Sequence, residues 1–197
     1  MIIKEKYILI SGLLIILVVP IFLGVFNQFL LLSQIDLIDI IYLVFGFAVL
    51  LLIGLLISIF VYDTKSLVLM KNHDVINSLI TRNNRLVLIL FFPLTMIMEE
   101  LIFRYYILGI LLIELKLETL AAVLTSSLIF SIYHIHFWFR FKNLRITLTY
   151  MIYSFLLGLF TAYILINFNI FISIIAHYLI AYIIYFSLFE KKYKNEI

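Results

Sequence analysis

Glu99-Glu100-Leu101-Ile102-Phe103-Arg104 decides how the chain is read, because it puts three ionisable side chains in the middle of an apolar run from Leu86 to Ile113. That run is long enough to cross a hydrocarbon core of ~30 Å at ~1.5 Å per residue. An ionisable group near a bilayer centre costs roughly 2.5–3.5 kcal/mol, so each needs a partner or a purpose. On a helix Glu100 and Arg104 are four residues apart with the acid first, the favourable order for an ion pair. Glu99 is turned about 100° away, and no basic residue stands three or four positions from it. It is the residue whose presence needs a reason.

Composition sets the class. Of 197 residues, 66% are hydrophobic and 13% charged, where a soluble domain is roughly half apolar and a quarter charged. Apolar stretches of helical span length, without the short alternation of a barrel, predict an all-α integral membrane protein. The first apolar run, Tyr7 to Val25, follows Lys4 and Lys6 but lacks a small-residue cleavage site, so it is read as a retained helix. The absence of cysteine excludes a thiol nucleophile, disulfides and thiolate-bound metal.

Six apolar segments are expected, at Tyr7–Val25, Ile40–Val61, Leu86–Ile113, Leu120–Phe137, Ile146–Phe168 and Ile170–Leu188. Twelve of the fourteen Lys and Arg residues fall on one side of the resulting alternation; Lys116 is on the other and Arg104 is inside a span. The positive-inside rule then puts both termini in the cytoplasm. The chain reads as one polytopic domain, residues 1–197. Residues 1–85 hold two helices and a cytoplasmic loop, and residues 86–189 hold the core of the last four helices. Within the loop, Ile76, Leu79 and Ile80 suggest a short surface-lying helix, with a solvated connector as the other reading.

The remaining ionisable groups at membrane depth are His134, His136 and His177. Phe130 is one turn before His134 and shares its face. His136 is about 200° further round, so on a regular helix the two histidines cannot face one site, and it is expected at the interface. A straight-helix count puts Glu99 near the midplane, His134 toward the cytoplasm and His177 toward the outside, so convergence requires tilted or broken helices. A carboxylate in low dielectric is brought toward the range where a general base works near neutral pH. A neutral imidazole can share a water with it, and a further imidazole can donate to the developing oxyanion. Ser173, four residues before His177, invites a Ser–His reading, but no nucleophile elbow surrounds it. Zinc on Glu99, His134 and His177 is chemically conceivable, yet His-Glu-x-x-His is absent.

Glu99-Glu100-x-x-x-Arg104, then Phe130-x-x-x-His134, then His177 on a last helix, resemble the CPBP family. These are intramembrane endopeptidases similar to the type II CAAX prenyl protease and the bacterial Abi proteins. The resemblance covers about Leu86 to Leu188. It implies that Glu99 and His134 activate a water, that His177 helps form the oxyanion hole, and that Glu100, Arg104 and Phe130 support the site. It further implies a glutamate-type mechanism with no cofactor and no metal. The expected partners are the bilayer and a peptide or membrane-protein substrate, with no nucleic acid. The expected location is a cell membrane, on the bacterial reading the plasma membrane, in peptide processing or bacteriocin self-immunity. One position departs from the family: Ala181 replaces the usual Asn or Asp four residues after His177. Ser173, Tyr178 and Tyr182 are the candidates for a substitute hydroxyl. A non-catalytic scaffold or immunity protein that retains the fold is the competing reading.

Overall fold

The computed structural model describes residues 2–32, 34–81 and 85–193. Two helices open the chain, α1 (Ile2–Phe22) and α2 (Leu37–Phe60). A reciprocal capping box starts α2: Asp36 accepts from the Asp39 amide, and Asp39 accepts from the Asp36 amide. Its buried residues, Leu50, Gly54 and Ser58, are four apart and form one narrow stripe. The rest of the helix faces outward, as lipid contact allows.

Two short helices follow, α3 (Thr64–Met70) and α4 (Asp74–Thr81). Asp63 caps α3 through the Ser66 amide, and hydrogen bonds from Ser66 hold its carboxyl below the ordinary aspartate value. The short helix expected over Ile76, Leu79 and Ile80 is present as α4, but its apolar stripe packs inward. Ile76 is fully buried against Met70, Phe137, Phe141 and Tyr193, and Val75 packs on Phe92 and Met96. The apolar stripe on α4 is real, but it covers the bundle.

The central helical run is not uniformly α. A π-helical turn (Val87–Phe91) leads into α5 (Phe92–Glu100), which passes into further π turns at Leu101–Leu108 and Ile110–Glu114. Pro93 has no N–H to give to the turn before it, and the first wide turn lies there. The second begins directly after Glu100 and carries Arg104.

Beyond it come α6 (Thr119–Tyr133), α7 (His136–Phe141), α8 (Leu144–Asn167) and α9 (Ile170–Lys192). Side chains of Glu118, Asn143 and Asn169 cap α6, α8 and α9. Four helical stretches of the described residues are long and apolar enough to cross a membrane: Leu37–Phe60, Thr119–Phe141, Leu144–Asn167 and Ile170–Glu190. Basic loops meet at one end, where Arg140 pairs with Asp74 (2.7 Å) and Arg145 with Asp63 (2.9 Å). Tyr163 bonds Asp39 at the opposite end (3.1 Å).

α6 and α8 are tightly packed at Gly158, where a Cβ would lie 3.0–3.1 Å from the Cβ and backbone Cα of Ser127. Backbone cannot yield as a side-chain tip does. Gly158→Leu is expected to force the pair apart and cost about 1–3 kcal/mol or more, read as a lowered Tm in detergent.

Candidate active site

Glu100 is the anchor of the buried polar cluster. It is fully buried and held by two residues of α9 and by Arg104 of its own helical run. Ser173 Oγ donates to its Oε2 at 2.5 Å, and His177 Nδ1 lies 2.8 Å from its Oε1. Ser173 and His177 are one turn apart on α9, so one face of that helix supplies both contacts. Arg104, also fully buried, stands 3.9 Å from Glu100. The four-residue pair read from the sequence is thus present but loose, because the wide turn after Glu100 does not stack residues i and i+4 as an α-helix does. Its Nε donates instead to Thr161 Oγ1 on α8 (2.6 Å), and Phe130 covers the guanidinium at 4.4 Å. An aromatic face is an electrostatic partner for a cation that finds no acceptor for its Nη atoms among the described residues.

His177 stands between two acids, with its Nε2 3.8 Å from Glu99 Oε2. Phe130 meets the rings of His134 and His177 edge-on, at 4.8 and 5.9 Å. His134 follows the last residue of α6, and its Nδ1 lies 2.9 Å from the Phe130 carbonyl. A carbonyl only accepts, so Nδ1 carries the hydrogen, and in the neutral ring Nε2 keeps its lone pair. Two serines fix the end of α6: Ser126 Oγ donates to the Phe103 carbonyl and Ser131 Oγ to that of Met151, both at 2.7 Å.

Glu99, His134 and His177 line one cavity of about 660 Å³. The depth mismatch of the straight-helix count does not arise, since α6 stops at Tyr133 and leaves His134 inside the bundle. The same break removes the angular separation of His136 from His134 that a regular helix would impose. A turn at His134 and Ile135 separates α6 from α7, and both imidazoles line the cavity with ring centroids 5.8 Å apart. His136 itself is exposed.

The substitute hydroxyls are placed elsewhere. Ser173 is committed to Glu100, Tyr178 and Tyr182 stack on each other (5.9 Å), and none of the three lines the cavity. Ala181 does line it. Among the described residues no three His, Asp or Glu side chains are grouped so as to hold a metal ion.

Two contributors were not foreseen from sequence in these positions. Thr161 and Ser173 tie α8 and α9 to the Glu100–Arg104 pair across 57 and 73 residues of chain, and such separations leave no local pattern. Ser173→Ala removes a buried donor from a carboxylate, so a loss of about 1–3 kcal/mol is expected in the thermal stability of the purified protein.

Fold and cavity together define a class: a multi-pass helical membrane protein with its ionisable side chains gathered inside. Residues 81–183 match the family described as type II CAAX prenyl endopeptidase Rce1-like, and the chain belongs to that family. The matched stretch contains every residue of the Glu99–His177 cluster, and membership gives the chain the fold of an intramembrane CAAX-type protease. No curated protein and no solved structure matches it.

Proposed function

We propose that the chain is an intramembrane glutamate-type endopeptidase, cutting a small peptide or the membrane-proximal end of a protein with a water activated by Glu99 and His134. The observation that carries this is the meeting of Glu99, His134 and His177 on one cavity from three separate parts of the chain. The free lone pair of His134 Nε2 and the Glu99 carboxylate are the proton acceptors. As the water oxygen bonds to the carbonyl carbon, its proton passes to this pair and the carbonyl oxygen takes the charge. His177 donates to that oxygen from Nε2. Because Nδ1 already faces Glu100, this requires both ring nitrogens to be protonated. With His177 in that form, Glu99, Glu100, Arg104 and His177 sum to zero charge, which is how a buried ionic cluster is best tolerated. Collapse of the tetrahedral intermediate breaks the C–N bond, and the stored proton goes to the leaving amine.

The basic end of the bundle is assigned to the cytoplasm on the distribution of Lys and Arg, with a cell membrane as the location and peptide processing or bacteriocin self-immunity as contexts to test. Ala181 favours a second reading, a non-catalytic scaffold, because it offers the cavity a methyl group one turn from His177. The test is incubation of membranes carrying the wild type or Glu99→Gln with candidate precursor peptides, products being read by mass spectrometry. Wild type is expected to cut, to keep cutting under a strong chelator, and to lose activity in the variant. No cutting by wild type would favour the scaffold, and complete loss under chelator would revive a metal.

A further inference from the structure

Past His177, toward α4 and α7, the cavity enters a second polar cluster that the chemistry above does not use. His73, between α3 and α4, is 8% exposed. Its Nε2 lies 3.2 Å from Tyr185 Oη, which lies 2.9 Å from Tyr150 Oη. Rings wall this chain of polar groups. His73 stacks on Tyr185 at 4.8 Å, and Phe92 meets Tyr185 edge-on at 5.8 Å. Phe137 is 5.8 Å from His73 and 5.9 Å from His134, so one ring separates the two imidazoles. Arg140 and Asp74, paired with each other, close the end, and all these residues line the cavity. His73, Asp74 and Tyr185 fall outside the family-matched residues 81–183, while Phe92, Phe137, Arg140 and Tyr150 fall inside them.

We propose that this compartment is a specificity pocket for a large aromatic side chain with a polar edge, Tyr or Trp, three or four residues from the bond that is cut. Aromatic walls favour an aromatic guest in stacked or edge-on contact. The phenol–phenol–imidazole chain gives a hydroxyl or indole N–H a partner that an aliphatic side chain would leave facing hydrocarbon. A charged side chain would meet Arg140 and Asp74 already neutralised by one another. Tyr185 is eight residues beyond His177 on α9, about 12 Å at 1.5 Å per residue. An extended peptide rises about 3.3 Å per residue, so three to four residues span that distance. The position relative to the cut rests on the endopeptidase reading; the pocket itself does not.

The test uses peptides with a non-hydrolysable hydroxyethylene isostere at a fixed position and a single Tyr walked along both sides, bound to the full chain in nanodiscs and read by fluorescence anisotropy. Binding about tenfold tighter than the alanine peptide is expected with Tyr three or four residues from the isostere. Tyr185→Ala is expected to erase that peak, and Tyr150→Phe, which keeps the ring, to erase the preference for Tyr over Phe while Tm is retained. A flat profile, or an unchanged profile in either folded variant, overturns the proposal. Hydrolysable versions of the same peptides are run with wild type. A binding peak without cleavage would sink the endopeptidase reading and leave the pocket standing.

Discussion

Glu100→Ala is expected to remove most of the folded protein from the membrane. The carboxylate is fully buried and accepts from Ser173 and His177 while facing Arg104. Truncation leaves a buried guanidinium with Thr161, the Phe130 ring and the field of Glu99 but without its nearest carboxylate, and takes from His177 the group that orients it. Breaking a buried ion pair from one side typically costs 3–5 kcal/mol, against a total stability of about 5–15 kcal/mol. Abundance in membranes and Tm of the purified protein read this directly, and Arg104→Ala is expected to resemble it. Glu100→Gln keeps the shape and an acceptor for Ser173, so it should lie between wild type and Ala. If Glu100→Ala accumulates normally with an unchanged Tm, the anchoring role is wrong, whatever happens to activity.

That expectation began as a pattern of letters, and it shows what the sequence could carry. Apolar run lengths held enough information for an all-helical membrane chain, because they follow from the bilayer and act over whole segments. Glu99, Glu100 and Arg104 stood out for the same reason: hydrocarbon makes ionisable groups expensive, so their presence is itself a signal. The partners were not visible. Thr161 and Ser173 are ordinary residues in apolar helices, and what distinguishes them is a cross-helix contact. The break between α6 and α7 was equally hidden, since His134 and Ile135 include no Gly or Pro to announce a turn. An angular argument built on a regular helix therefore separated His134 from His136, and a wide turn loosened the Glu100–Arg104 pair. His73 was passed over because it stands in a polar loop, where a histidine costs nothing. It became informative only when α9 brought Tyr185 to it.

The largest expected effect on function is the loss of turnover in Glu99→Gln and His134→Ala, and their combination says more than either alone. General-base catalysis contributes typically 10²–10⁴ in rate, so each single variant should fall by about that factor in kcat/KM on a peptide that wild type cleaves. Neither residue anchors the bundle as Glu100 does: both line the cavity, and Glu99→Gln preserves shape. Abundance should therefore stay near normal. If Glu99 and His134 hold one water between them, removing either already disables it, and the double variant should be little slower than the worse single one. Multiplication of the two losses would mean separate steps, with His134 serving the leaving group alone. A double variant no slower than Glu99→Gln, in protein of unchanged Tm, would tie the imidazole beside Phe130 to the same proton as the acid beside His177. Only groups that share a cavity can be coupled in that way.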